Sequence, residues 1–238
     1  LISRILNAVP DAKLGIPAST NAFILESLRK KWKNNAPIHL NAGQYPELKL
    51  SNEQRTQATT LSLRAAQPVS WIHRPSTVPY QHGRENMRFI RTWMYMQPAP
   101  DELQTWLQPN AFKQLFPKQI KEIKINQNTA QGLDSQFKVS IGLGVISIPF
   151  NFGLHFNFPT QLSNDYYATG GDLKFIKGKM QFSPLQQGSL LEMTNASKID
   201  EQAPFLLRAM RSLPYHDFLP TVGANTALSL KIKAKNKS

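Results

Sequence analysis

Five histidines, His39, His73, His82, His155 and His216, are the side chains best able to move a proton near neutral pH. Their separations give no zinc-ligand spacing. There is no cysteine, so disulfides, thiolate metal sites and cysteine nucleophiles are excluded. No serine occupies a nucleophile elbow, and Gly142-Leu143-Gly144 is too short for a phosphate-cradling loop. Glu192 lies on a late alternating segment. Its carboxylate could enter an interior as a proton-transfer group, although a surface position is the plainer expectation. His155 falls on the polar parity of its strand and is expected to face solvent. His216-Asp217 precedes a helical pattern, where Asp217 reads as a cap rather than a catalytic acid. Asn195-Ala196-Ser197 fits a glycosylation sequon, a match expected by chance. No catalytic residue, metal ligand or cofactor is assigned from these residues.

The elements that would position any chemistry centre on residues 133–158. Leu133, Ser135, Phe137, Val139, Ile141, Leu143 and Val145 share one parity. After a phase slip at Gly142–Ile146, the apolar parity is Ile146, Ile148, Phe150, Phe152, Leu154, Phe156 and Phe158. Period-two alternation of this length predicts two antiparallel strands with one dry face. The slip marks a turn or bulge, since a one-residue shift would swap the faces. So much Phe on one face requires a large cover: a helix, a ligand or both.

Further segments are predicted around this pair. Ser19–Lys33 reads as a helix ending in Arg29, Lys30, Lys31 and Lys33, cations that suit the helix dipole. Glu53–Ala66 reads as a helix capped by Ser51 or Asn52, and Pro68–Arg74 as a short strand with Trp71. Met87–Gln97 is a strand apolar on both parities, one covered by the fold and one by the preceding chain. Asp101 is expected to cap a helix to Leu107. Asp172–Ser183 is a strand with a bulge at Gly178, and Ser189–Ala196 is the last strand. A final helix capped by Asp217 carries Leu219, Val222, Thr226 and Leu230 at helical spacing, with Gly223 and Ala224 leaving room beside it. Lys231, Lys233, Lys235 and Lys237 read as a solvated tail, an alternation that also suits a frayed strand.

With 238 residues the chain can hold one large domain, or one domain with an extension. A net charge of +13 implies attraction to anionic surfaces, either acidic lipid or nucleic acid. The nucleic-acid alternative lacks a recognisable fold and interleaved aromatics. No run approaches the roughly 18 apolar residues of a membrane-spanning helix. A chain opening at Leu1 is expected to be processed or truncated. It would then be periplasmic after signal-peptide removal, or otherwise cytoplasmic.

The order strand, two short helices, six strands, long terminal helix resembles the START-like superfamily, the helix-grip fold of polyketide cyclases, coenzyme Q-binding and lipid-transfer proteins. Met96-Gln-Pro-Ala-Pro-Asp-Glu-Leu-Gln-Thr-Trp-Leu107 is similar to that family's first strand ending and first helix. Gly171-Asp-Leu-Lys-Phe-Ile-Lys-Gly178, Phe182-Ser-Pro184 and Gly188-Ser-Leu-Leu191 are similar to its final hairpin, and Pro214 precedes the terminal helix. The resemblance implies an α+β fold over residues 86–238: a curved antiparallel sheet gripping the C-terminal helix. Residues 1–85 form an irregular N-terminal extension, partly helical. It further implies an apolar cavity lined by Phe137, Val139, Ile141, Phe150, Phe152, Leu154 and Phe156 of the sheet, with Val222, Gly223 and Thr226 of the helix. The expected function is non-catalytic binding or transport of a lipid or other hydrophobic small molecule. A cyclase or hydratase using the same cavity is the alternative. Leu1–Val9 and the cluster Arg29, Lys30, Lys31 and Lys33 are the expected contacts with an anionic membrane.

Overall fold

The computed structural model describes residues 12–15 and 36–236, apart from 66, 81–82, 130–131, 144–145 and 213–215. The expected helix over Ser19–Lys33, its four cations and the opening Leu1–Val9 lie outside the described residues. The strands are β1 (Ala12–Gly15), β2 (Ile38–His39), β3 (Val69–His73), β4 (Ser76–Tyr80), β5 (Gly83–Met87), β6 (Ile90–Met96), β7 (Ile120–Thr129), β8 (Gly132–Leu143), β9 (Ile146–Thr160), β10 (Ser163–Gly171), β11 (Leu173–Pro184) and β12 (Ser189–Ile199). The α-helices are α1 (Asn52–Ala65), α2 (Pro100–Leu103), α3 (Pro109–Leu115), α4 (Phe205–Ala209) and α5 (Leu219–Lys235).

Nine strands make one antiparallel sheet in the order β1-β3-β6-β12-β11-β10-β9-β8-β7. β2, β4 and β5 make a second, smaller sheet. β8 and β9 pair without interruption from Leu133↔Phe156 to Leu143↔Ile146. The two alternating runs therefore share one dry face, as their parity requires. The extension is built into this sheet rather than appended to it. β1 and β3 continue it beyond β6, and β5 straddles residues 85 and 86.

Both faces of β6 are covered. Met94 and Met96 pack with Leu191, Met193, Phe182 and Ile232 of α5. On the opposite face Trp93 meets Trp71 edge to face at 4.9 Å, beneath Leu48 and Ala58 of the extension. α1 begins with a reciprocal cap: Gln54 N donates to Ser51 Oγ (3.2 Å) and Ser51 N to Gln54 Oε1 (2.8 Å). α2 starts at Ala99, with Glu102 accepting its N–H at 2.9 Å, so Asp101 is not the cap.

α5 differs from its expected form in three ways. It starts after Phe218, and Asp217 instead accepts a 2.9 Å bond from Arg88 Nε. It runs on through Lys235, so part of the expected tail is helix. Its buried residues are Thr221, Val222, Asn225, Ser229 and Ile232, while Leu230 is 40 % exposed. The polar members are satisfied. Asn225 Nδ2 donates to Thr92 Oγ1 (3.1 Å), which pairs with Ser70 Oγ (2.9 Å). Asn195 Nδ2 donates to Asn225 Oδ1 (2.7 Å), and Ser229 Oγ to the Asn225 carbonyl (2.7 Å). Ser197 and Thr221 hydroxyls meet at 2.9 Å. The chain of side chains ties α5 to β12, β6 and β3 in turn.

Gly178 is not a bulge, because β11 keeps register with both neighbours there. A Cβ at Gly178 would lie 2.4 Å from the Tyr166 ring, so the glycine makes space for that aromatic. The irregularity in β11 falls between Leu173 and Phe175.

Asn225→Ala should cost about 3 kcal/mol, since it strands a buried amide and a buried hydroxyl. Gly223→Ala should instead stabilise by about 0.5–1 kcal/mol. Gly223 is helical and exposed, and a Cβ added there would meet nothing within 4 Å. Urea denaturation of both variants checks the opposite signs. His73 is buried, and burial, with Arg91 nearby, lowers its pKa from 6.5 to about 3. The unfolded chain therefore binds the extra proton between those values. Stability is complete above pH 6.5 and should fall by about 1.4 kcal/mol per unit as the pH drops toward 3. Unfolding of His73→Phe across that range should show a shallower pH slope.

Candidate functional site

The dry face of β8 and β9 is not packed solid. A cavity of about 430 Å³ lies between it and α5. Residues from β8 to β12 face the same helix across it, so the sheet curves around α5. The volume is within the range of small-molecule sites.

All seven expected sheet residues line this cavity: Phe137, Val139, Ile141, Phe150, Phe152, Leu154 and Phe156. Their rings form a continuous run. Phe137 and Phe152 stack at 5.1 Å, Phe150 and Phe152 at 5.6 Å, and Phe156 meets Tyr166 at 5.5 Å. Phe112 of α3 closes one end, 6.3 Å from Phe156. None of the three expected helix residues lines the cavity. Val222 is buried, Gly223 exposed and Thr226 half-buried, and the lining stripe is Pro220, Thr221, Ala224, Asn225, Ala227 and Leu228. The lining stripe carries Thr221 and Asn225, whose polar atoms are bonded inward.

α4 supplies the remaining wall. Leu207 and Met210 reach the cavity, while the adjacent Phe205 is 72 % and Leu206 43 % exposed. Leu207 packs with Phe150 and Ile148, so the short helix sits against the β8–β9 pair. The sequence reading gave this segment no role. The signal was available: five apolar residues among Phe205–Met210 exceed what one short buried face can use.

The lining has no Asp, Glu, His, Lys or Arg among the described residues. Its polar groups are Gln119, Tyr166, Asn195, Ser197, Thr221 and Asn225. Burial pushes the Tyr166 phenol well above its usual range, so it stays protonated and can act as a hydrogen-bond donor.

The groups with possible acid-base roles lie elsewhere. Glu192 is on the opposite face of β12, accepting from Arg91 Nη1 (2.9 Å) and Trp93 Nε1 (2.7 Å). It serves as the anchor of the extension over β6. His155 is not simply solvent-facing: its Nδ1 is 2.6 Å from Asp134 Oδ1 of the paired strand, and its ring lies 5.0 Å from Tyr167. Asp165 is raised by burial beside the Tyr45 ring and Lys179, also outside the cavity lining. Among the described residues no group of His, Asp and Glu is arranged to hold a metal ion, and no helix is long and apolar enough to cross a membrane.

No protein-family model matches the sequence, and no curated protein matches it at a significant level. Several solved structures align with it. A START superfamily protein from Mycobacterium smegmatis is 13 % identical, covering 63 % of this chain and 97 % of its own, with a TM-score of 0.47. A STAR-related lipid transfer protein fragment from Xanthomonas axonopodis is 11 % identical over 72 % of this chain and 94 % of its own, TM-score 0.45. An aromatase/cyclase from a Streptomyces species is 11 % identical over 63 % and 94 %, TM-score 0.45. On the order of its own elements, and with a long terminal helix seated across a curved antiparallel sheet, this fold is START-like.

Proposed function

We propose that the protein binds and carries a hydrophobic small molecule in the cavity between β8–β12 and α5. One observation carries the reading: an uncharged, Phe-rich lining around about 430 Å³ of unfilled space. Close packing is the rule in protein interiors, so an apolar cleft this large, partly open to solvent, leaves Phe surface that an occupant would cover. The lining favours binding over catalysis. A cyclase or hydratase needs a group that gains and loses a proton near pH 7, and Tyr166 is held protonated. Its hydroxyl and the Asn195 Oδ1 suit orientation of a polar group on an otherwise apolar occupant, while both polar atoms of the Asn225 amide are taken by Thr92 and Asn195.

A carrier must collect and release its cargo. Exposed Phe205 and Leu206 stand beside Leu207 and Met210 of the cavity wall. In this reading they touch the bilayer interface at the point where cargo passes. The cations Arg29, Lys30, Lys31 and Lys33 add electrostatic attraction of about 1 kcal/mol each to an anionic surface.

Native mass spectrometry of the purified chain should show a co-purified mass that is lost on delipidation. Phe152→Ala should weaken binding of a hydrophobic fluorescent probe by about 1–2 kcal/mol, since one aromatic supplies much of the apolar wall. Unchanged affinity in the folded variant would remove Phe152 from the site. Phe205→Ser should leave equilibrium probe affinity unchanged and slow uptake of labelled lipid from anionic vesicles. Converting Arg29, Lys30, Lys31 and Lys33 to Gln should reduce sedimentation with those vesicles and flatten its salt dependence. Equal sedimentation of that variant and the wild type would remove the four cations from membrane contact.

A further inference from the structure

A second cavity, of about 380 Å³, lies between β5, the end of β12 and the segment leading into α5. It adjoins the first, sharing Ser197, Ile199 and Pro220 with it. The chemistry of its walls is different. Arg88, Lys198 and Arg211 line it, together with His216, and Asp217 is the one carboxylate on the lining among the described residues. Residues far apart in sequence, from Pro37 to Pro220, are brought together to build it.

The three cations are positioned by acids. Arg88 Nε is 2.9 Å from Asp217 Oδ2, Lys198 Nζ 2.7 Å from Glu85 Oε2, and Arg211 Nη2 3.4 Å from Glu201 Oε1. Glu85 and Glu201 are not on the lining. Glu85 is shared by a second cation, Lys174 Nζ at 2.7 Å, and these two lysines hold its carboxyl below the usual range. Glu85 therefore neutralises neither lysine fully. The Arg211 contact is long and mostly exposed on the Glu201 side, a geometry worth little by itself. A guanidinium also has five donors, of which one such contact uses one. The lining itself thus carries three cationic side chains against one carboxylate, with the other two acids set behind it.

From the junction of an uncharged cavity with a cationic one we infer that the occupant is an amphiphile with an anionic head, a carboxylate or a phosphate monoester. Its tail lies along the Phe wall and its head among Arg88, Lys198 and Arg211. This inference rests on the carrier reading and adds the ligand class to it. An anion leaving water needs charge-assisted hydrogen bonds to replace its hydration, and Arg and Lys supply them. A neutral head would leave this cluster with no new partner. Ser197 is on both linings, and its hydroxyl meets that of Thr221, on the uncharged lining, at 2.9 Å.

The test uses the delipidated full chain and calorimetric titration with hexadecanoate, hexadecyl phosphate, hexadecanol and inorganic phosphate. Both anionic amphiphiles should bind about tenfold tighter than the alcohol. The double variant Lys198→Gln, Arg211→Gln should lose that preference and keep its affinity for hexadecanol, which shows that the fold and the apolar cavity survive. Equal affinity of hexadecanoate and hexadecanol for the wild type would overturn the anionic head while leaving the carrier reading intact. So would an equal loss for acid and alcohol in the variant. Inorganic phosphate binding as tightly as hexadecyl phosphate would overturn it in favour of a site for a free anion. If no amphiphile binds, the carrier reading fails and this inference fails with it.

Discussion

The seating of α5 on the sheet is the constraint on which the cavity depends. Ser70, Thr92, Asn225 and Asn195 form one connected run of side-chain hydrogen bonds, 2.9, 3.1 and 2.7 Å long, across three strands and the helix. Buried polar groups are costly unless every one is partnered, so such a run has few alternative arrangements. It fixes the helix in height and rotation. A purely apolar helix face could slide toward the sheet and fill the space below with little penalty. Here sliding would break the Asn225 amide's hydrogen bonds in a buried setting. The void under Phe137, Phe152 and Phe156 persists because the helix is held over it.

Packing is divided accordingly. At the β6–β12 side, α5 and the short helices meet the sheet directly, with Met94, Met96, Leu191, Met193 and Ile232 essentially inaccessible. At the β8–β9 side, the sheet curves away and α3 and α4 close the ends. The outer face of the sheet is stabilised separately. Trp71 and Trp93, with the Arg91–Glu192 pair, fasten the extension over β3, β6 and β12. The charged anchors of the fold thus lie outside, and the inner cavity remains uncharged. That separation lets an apolar occupant enter without stripping water from an ion.

The second cavity reverses this chemistry within a short distance. Its cations come from β5–β6, β12 and the segment after α4, and the acids holding them come from β5, the turn before α4 and the turn before α5. Adjoining uncharged and cationic spaces match a molecule that is itself divided into tail and head.

The sequence by itself determined the dry face. Period-two placement of Phe137, Val139, Phe150, Phe152, Leu154 and Phe156 is local information, carried by the pleat of each strand, and it needs no partner to be read. The α+β order of elements and the absence of thiol chemistry were legible for the same reason. The helix stripe was not. Of the residues at apolar helical spacing Val222 is buried and Leu230 exposed, and the other buried positions are Thr221, Asn225, Ser229 and Ile232, three of them polar. Polar residues read as surface until a partner such as Thr92, 133 positions away, satisfies them. Glu192 and His155 were equally ambiguous, since the groups that claim them, Arg91 and Asp134, stand on neighbouring strands distant in sequence. The meaning of Gly178 depended on a ring twelve residues earlier that crosses it only after β10 and β11 pair. Patterns of hydrophobicity set which surfaces are dry. Only tertiary contacts decide which polar groups are allowed inside, and in this protein those groups hold the cavity open.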